Sequence, residues 1–170
     1  MGNLLRKCCC KDEVIVRSAV DPKNIVADWT GENTPWFNLD GYQGPCRVID
    51  VYDGDTITIA ILFCDKIFKT KCRLAGIDAA EIRTKNLEEK KHGLDGKEYL
   101  QTLIANKFIW CRIGKNDKYG RPLGVLYLTE HDFNLKQNNI NDDLVAKNFA
   151  YSYDGTKKTL FEDWKKDEKD

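Results

Sequence analysis

The sequence lacks the long apolar segment that a membrane-spanning helix requires. Its longest apolar run, Thr56–Cys64, has nine residues, whereas a helix that crosses a bilayer needs roughly 20. Only two histidines are present, and no C-x-x-C pair occurs among the seven cysteines, which argues against a structural zinc site. No secretory signal is recognisable, so we expect a reducing intracellular compartment. Cysteines in strand-like runs are then expected to pack as small buried hydrophobes, namely Cys46, Cys64, Cys72 and Cys111.

An overall excess of charge is also missing, because 27 basic residues balance 27 acidic ones. The balance is uneven along the chain, since residues 66–121 contain 14 Lys and Arg against 7 Asp and Glu. A basic middle with acidic residues at particular points suits a polyanionic ligand together with a cation site. A mixed, solvated surface explains the same counts, so charge alone leaves both interpretations open.

The N-terminus carries the residues that lipid attachment uses. Gly2 is the residue that a myristoyl transferase modifies, Arg6 and Lys7 are basic, and three cysteines available for palmitoylation follow: Cys8, Cys9 and Cys10. One acyl chain binds a membrane weakly, and a second chain or a basic patch makes the attachment durable. Arg6 departs from the Ser or Thr that the motif prefers, and a chance glycine near clustered cysteines is the alternative. We predict an N-terminal tail over residues 1–40, acylated and held at the cytoplasmic face of a membrane; without acylation the protein would be cytoplasmic.

Hydrophobic periodicity predicts a mixed α+β fold for residues 41–170. Runs rich in β-branched residues predict five strands, over 46–52, 56–63, 66–74, 108–113 and 122–128. A helix is predicted over 86–107, with one apolar stripe of Leu94, Tyr99, Leu100, Leu103 and Ile104 and with Gly93 and Gly96 weakening its first half. A second helix would start at Asn141 as its cap, and a third would cover 159–167. This order fits a five-stranded OB-type barrel with about three helices, expected to be a monomer.

Four short clusters supply chemically active side chains. They are the turn Asp53–Thr56, the segment Arg73–Glu81, the loop Asp117–Arg121 and the extended segment Tyr151–Tyr153. Taken singly, each has an ordinary structural explanation, such as a hairpin turn or a surface ion pair. Together they provide what phosphodiester cleavage needs: carboxylates for a hard divalent cation, arginines for a phosphate, a further carboxylate to orient or deprotonate water, and aromatic rings for stacking.

At this point the sequence resembles the staphylococcal nuclease-like domains, or thermonucleases. The resemblance covers about residues 47–154 and depends on four motifs in the family's order: Val48–Thr56, Cys72–Glu81, Asp117–Arg121 and Asn141–Val145. The segment Tyr151–Gly155 is most similar to versions from eukaryotes and large DNA viruses. The start of the chain resembles the acylated calcium-dependent nucleases of plants.

The resemblance implies a calcium-dependent endonuclease that cleaves DNA and RNA with little sequence specificity, prefers single strands and leaves 3′-phosphates. By position it implies metal ligands at Asp55, Asp78 and the Ala79 carbonyl. The implied catalytic residues are Arg73, Glu81 and Arg121. The implied nucleotide-binding residues are Lys118, Tyr119, Tyr151 and Tyr153.

The sequence departs from the family pattern at one site position. Ala80 stands where the family usually has proline, so Glu81 is expected to be held less rigidly, since proline would fix the backbone there. The alternative to an enzyme is a non-catalytic OB module that binds nucleic acid or protein and is tethered to a membrane.

Overall fold

The computed structural model describes residues 36–63 and 65–167. The chain divides into two units, residues 1–38 and 39–170, and the elements given below belong to the second. The predicted acylation sites Gly2, Cys8, Cys9 and Cys10 lie outside the described residues, as does Cys64. What the sequence predicts for these five residues stays a prediction.

None of the described helices is both long enough and apolar enough to cross a bilayer.

The described part of the chain contains seven strands, which form two sheets. They are β1 (Gln43–Val51), β2 (Thr56–Phe63), β3 (Lys66–Leu74), β4 (Ile77–Ala79), β5 (Phe108–Asn116), β6 (Pro122–Tyr127) and β7 (Ala150–Ser152). A closed barrel is formed in the order β1-β2-β3-β6-β5, and β4 pairs separately with β7. This arrangement confirms the predicted five-stranded OB-type barrel, and the bounds of β2 and β3 coincide with the predicted ones.

Four helices are described, which confirms the α+β class. They are α1 (Leu87–Ile104), α2 (Glu130–Leu135), α3 (Ile140–Ala146) and α4 (Phe161–Asp167). The short helix α2 was not predicted; it begins where the Thr129 side chain accepts a hydrogen bond from the backbone N–H of Asp132 at 3.1 Å.

Alternate residues of the barrel strands fill the interior, as the period of a strand requires. On β2 the side chains of Ile57, Ile59 and Ile61 are at most 2% exposed, while those between them face outward. Three predicted cysteines, Cys46, Cys72 and Cys111, are buried as free thiols among these residues, which confirms the prediction for them.

The glycines of α1 have a packing role that the sequence prediction missed. The helix runs unbroken through Gly93 and Gly96, both of which are buried. A Cβ atom at Gly93 would lie only 2.6 Å from the carbonyl oxygen of Ala80. Glycine therefore lets α1 approach the loop after β4, which contains predicted site residues. The predicted apolar stripe is wrong at Leu94, which is 46% exposed because it lies off the buried face.

Asn141 does not cap α3, so that prediction was wrong. Asn139 is the cap, and its side-chain oxygen accepts from the N–H of Asp142. Asn141 is instead 2% exposed. Its amide donates to the carbonyls of Ala75 (2.8 Å) and Gly124 (3.0 Å) and accepts from the Leu126 N–H (3.2 Å). The side chain thus ties α3 to the end of β3 and to the interior of β6, where it satisfies buried backbone groups.

Candidate active site

A pocket of about 740 Å³ opens at the end of the barrel where β2 begins and β3 ends. Most of the predicted site residues line it: Asp55, Arg73, Ala79, Glu81, Lys118, Tyr119, Arg121 and Tyr153. Asp78 and Tyr151 lie behind its wall, in contact with these residues. The structure therefore brings together residues that are up to 98 positions apart in the sequence, from Asp55 to Tyr153.

Asp55 is held in place by the tight turn between β1 and β2. Its own N–H donates to the Asp53 carboxylate at 3.1 Å, and its side chain is directed inward with 7% exposure. Oδ1 accepts from Arg73 Nη1 at 2.7 Å, and Oδ2 accepts from the Ala79 N–H at 3.1 Å. Burial raises the pKa of Asp55 to about 6, although the charge of Arg73 acts in the opposite direction.

Arg73 connects the two buried carboxylates of the site. It pairs with Thr56 in the β2–β3 ladder, which places its guanidinium beside Asp55. Its second terminal nitrogen donates to Asp78 Oδ1 and to the Ile77 carbonyl. Burial opposes the charged form, but the two carboxylates outweigh it and the pKa of Arg73 is raised. The guanidinium thus serves as the shared cation of both acids.

Asp78 owes its position to the small β4–β7 sheet. Asp78 and Tyr151 are direct cross-strand partners, and the Tyr151 hydroxyl donates to Asp78 Oδ2 at 2.7 Å. Burial and this carboxylate raise the pKa of Tyr151 above its ordinary value. The Tyr151 ring lies 5.2 Å from that of Trp164 on α4. Tyr151 therefore supports a predicted metal ligand from behind, whereas Tyr153 faces the pocket.

Glu81 stands at the mouth of the pocket with 59% of its side chain exposed. Lys158 contacts two of the site carboxylates, because its ammonium lies 2.9 Å from Glu81 Oε1 and 3.1 Å from Asp78 Oδ1. Burial opposes the charge of Lys158, but both carboxylates outweigh it and its pKa is raised. Ala80, in the position where proline was expected, is 6% exposed and packs with Phe161 and Trp164 of α4.

Arg121 reaches the opposite side of the pocket from the loop between β5 and β6. Its Nε donates to Asp117 Oδ2 at 2.7 Å, and Nη1 lies 3.5 Å from the Thr56 hydroxyl, next to Asp55. Asp117 also accepts from the N–H groups of Tyr119 and Arg121. Burial opposes the ionisation of Asp117, but these hydrogen bonds prevail and its pKa is lowered. The loop thereby points Arg121 at the same volume as Arg73.

Lys118 and Tyr119 of the same loop form part of the rim of the pocket. The Tyr119 ring is 72% exposed. Cations approach it from Lys118 at 5.1 Å and from Arg121 at 5.5 Å. An exposed ring flanked by cations can accept a stacked base with its phosphate nearby.

The donor atoms at the site suit a hard cation, but they are not assembled around an empty position. Within residues 36–63 and 65–167 no group of three or more acidic, His or Cys side chains converges closely enough to form a metal cage. Two observations nevertheless fit a cation. Asp55 and Asp78 supply carboxylate oxygens, the class that calcium prefers, and the Lys158 ammonium already occupies a cationic position between Asp78 and Glu81. A metal ion held by Asp55 and Asp78 would compete with the Arg73 guanidinium, which joins these two carboxylates, and with the Lys158 ammonium at Asp78.

Two features of the site were missed by reasoning from sequence. Lys158 follows Lys157 in a polar segment, and no periodicity distinguishes it from a solvated lysine. The role of Tyr151 behind Asp78 depends on the β4–β7 pairing, which a three-residue strand does not reveal.

Comparison with known proteins identifies the sequence relatives of this chain. The model of the family described as staphylococcal nuclease homologue matches residues 71–169, more than half of the chain. An uncharacterized endonuclease of Haemophilus influenzae is 32% identical over 65% of this chain and 53% of its own length. A probable endonuclease of Schizosaccharomyces pombe is 28% identical over 84% of this chain and 67% of its own length.

The matches cover only part of each relative. This chain spans 53% to 67% of the length of these two curated relatives, so their activities do not transfer to it as they stand. The family match includes Arg73, Asp78, Glu81 and Arg121, whereas Asp55 precedes the matched span. Since the match covers most of the barrel end that forms the site, the chain belongs to the staphylococcal nuclease homologue family.

Proposed function

We propose that this protein is a calcium-dependent endonuclease that hydrolyses the phosphodiester bonds of DNA and RNA. The observation that carries the proposal is the convergence of Arg73, Arg121 and Glu81 on one pocket, with two buried carboxylates behind them. The names of two relatives, an uncharacterized endonuclease and a probable endonuclease, support the same reaction class.

The side chains divide the chemistry among themselves. Glu81 is exposed at the pocket mouth, where its carboxylate can orient a water molecule and accept its proton. The water oxygen forms a new bond to phosphorus while the bond to the 5′ oxygen breaks, and the 5′ oxygen takes up a proton from solvent, which leaves a 3′-phosphate and a 5′-hydroxyl. Arg73 and Arg121 approach from two sides and stabilise the negative charge that develops on the phosphoryl oxygens. Calcium held by Asp55, Asp78 and the Ala79 carbonyl would add further positive charge at the phosphate.

Weak sequence specificity follows from what the pocket offers a substrate. Its charged groups suit phosphate oxygens, which are the same in every nucleotide. The exposed ring of Tyr119 and the half-buried ring of Tyr153 can stack on any base, and stacking requires a base that is not already paired within a duplex. We therefore expect flexible single strands to be cut more readily than duplexes.

A digestion experiment with a chelator control tests the proposal. Single-stranded DNA is incubated with the full chain in calcium or in chelator, beside the variants Glu81→Gln and Glu98→Gln. Glu98 is an exposed glutamate on α1 that does not line the pocket. We expect calcium-dependent digestion by the parent, about a 10²- to 10⁴-fold lower kcat for Glu81→Gln, and parental activity for Glu98→Gln.

Three results would count against the proposal. Equal digestion in calcium and in chelator would contradict the calcium requirement. Parental activity in Glu81→Gln would remove the proposed role of that carboxylate. No digestion under either condition would favour a non-catalytic binding module.

A further inference from the structure

A second group of basic and aromatic side chains lies beside the pocket, outside the residues that line it. It consists of Tyr52, Lys71 and Arg83, which we call the basic-aromatic cluster. The Lys71 ammonium lies 4.9 Å from the Tyr52 ring centroid, and the Arg83 guanidinium carbon lies 5.2 Å from it. Two cations thus share one ring, and the negative face of an aromatic ring stabilises such an arrangement.

The cluster is an extension of the active site along three separate segments. Tyr52 precedes the turn that holds Asp55, and Arg83 follows Glu81 by two residues. Lys71 lies two residues before Arg73 on β3, and the residue between them, Cys72, is buried. Lys71 and Arg73 therefore face the same side of the sheet about 7 Å apart. Exposed Lys69 continues this row of positive charge away from the pocket.

The positive charges of the cluster differ in their partners from those of the pocket arginines. Among the residues that the structure describes, no carboxylate forms an ion pair with Lys71 or Arg83. Both side chains are exposed, and two neighbouring cations repel each other unless an anion lies between them. By contrast, Arg73, Arg121 and Lys158 each have a carboxylate partner. Like Lys118 in the pocket lining, the cluster therefore offers positive charge that forms no ion pair with the described carboxylates.

We propose that the basic-aromatic cluster is a subsite that binds the sugar–phosphate backbone of a polynucleotide beyond the phosphate being cleaved. The proposal depends on the proposed nuclease function for the identity of the ligand. A strand that leaves the pocket along β3 passes from Arg73 to Lys71 and then to Lys69, while Arg83 approaches from the loop after β4. The face formed by the second and third strands of an OB barrel is also where such folds bind oligonucleotides. The Tyr52 ring keeps the two cations together.

Binding without turnover tests the subsite. The probe is a fluorescein-labelled oligothymidylate of about 12 nucleotides, within the range that an OB fold can contact. Fluorescence anisotropy is measured in chelator at several salt concentrations, with the parent, the double variant Lys71→Met/Arg83→Met and the control Lys136→Met. Lys136 is an exposed lysine at the end of α2, outside both the pocket and the cluster.

The double variant should lose two phosphate contacts, and this loss should change how strongly its affinity depends on salt. The slope of log affinity against log salt should become shallower by about 1.4, because each contact with a single strand contributes about 0.7. Affinity near physiological salt should fall about ten-fold in the double variant and stay at the parental value in Lys136→Met. Tyr52→Leu should weaken binding, whereas Tyr52→Phe should retain it because the ring is preserved.

Cleavage of a long strand and of a dinucleotide provides the second readout. The double variant should lose more activity on the long strand than on the dinucleotide, because only the long strand reaches the cluster. The subsite is overturned if the parent does not bind the probe or if the double variant keeps the parental salt slope. If the slope becomes shallower but the parent shows no calcium-dependent cleavage, the subsite stands and the nuclease proposal fails.

Discussion

The active-site end of the barrel has two regions that differ in how firmly their charges are held. The inner wall, formed by Asp55, Arg73, Asp78 and Tyr151, is a buried network in which the three charged side chains are at most 12% exposed. The outer rim, formed by Glu81, Lys118, Tyr119 and Lys158, is exposed, with about half of the Glu81 and Lys158 side chains in solvent. We expect the charges of the inner wall to stabilise the fold and to fix the geometry of the site. The charges of the outer rim should instead contact ligands and reactants.

The physical reason for the difference is solvation. A buried carboxylate loses its water and needs protein cations and hydrogen bonds in exchange. Asp55 and Asp78 each receive such partners, among them the shared guanidinium of Arg73. An exposed carboxylate such as Glu81 keeps its water, so its ion pair with Lys158 is weak and can be exchanged for another cation. The inner wall is thus preorganised, and the rim is adaptable.

Removal of the central arginine should have the largest effect on stability. Arg73→Met leaves two buried carboxylates without their shared cation, and we expect unfolding free energy to fall by about 3–5 kcal/mol. Arg121→Met is the matched control, since its partner Asp117 is nearer to solvent, and it should cost less than about 1 kcal/mol. Urea unfolding monitored by circular dichroism measures both. Equal losses in the two variants would contradict the special cost of leaving two buried carboxylates without their shared cation.

The stability of the protein should depend on pH, because burial penalises the charged form of Asp55. Its folded pKa of about 6 exceeds the ordinary value of 3.8, so the folded state binds a proton more tightly than the unfolded state. Stability is therefore highest below about pH 4 with respect to this group and declines as pH rises towards 6. Relative to Asp55→Asn, the parent should lose up to about 3 kcal/mol over this window, measured by urea unfolding in chelator.

For Asp117 we expect stability to change with pH in the opposite direction in the same measurement. Its folded pKa is lowered, so its contribution to stability is present above the ordinary value and is lost as pH falls. Relative to Asp117→Asn, the parent should become more stable as pH rises through the acid range. If the unfolding free energy of the parent follows that of Asp55→Asn at every pH, burial does not penalise the charged form of Asp55.

The smallest expected effect concerns the exchangeable cation at the rim. Lys158→Met removes the ammonium that contacts Asp78 and Glu81. If calcium competes for these carboxylates, its affinity should rise by about two- to five-fold, the size expected for a half-exposed ion pair. Isothermal titration calorimetry with calcium measures this without any substrate, and Lys136→Met is the control. Unchanged or weaker calcium binding in Lys158→Met would show that the lysine does not compete.

Local patterns were enough to predict most of the barrel. A run dense in Ile and Thr predicted β2, and the Asp-Gly turn before it indicated where that strand begins, so both bounds were found. The helix α1 was found from its apolar spacing, but its glycines were misread. Their reason lies in the approach of α1 to the carbonyl of Ala80, a contact between residues 13 positions apart that no local pattern encodes.

Side-chain partnerships at the site were predicted less completely. Motif order placed Asp55, Arg73, Glu81 and Arg121 in one pocket, because each motif is anchored to a strand end or a tight turn. Asn141 was misassigned as a cap because its type suits both roles, and only burial between two strand ends separates them. Lys158 was missed because the ion-pair partners of an exposed side chain are set by the segments that fold next to it.

The sequence by itself determined most of the elements, though not α2 or the β4–β7 pair, and which reactive side chains they carry, because strand and helix periods and turn chemistry act over a few residues. Only the tertiary structure decided which charges are shared, which are paired and which remain open. Arg73 between two acids, Lys158 across two carboxylates, and Lys71 with Arg83 on one ring all depend on the distances between segments that meet when the barrel closes. Electrostatic energy depends on those distances and on burial, and neither is a property of a local stretch of chain.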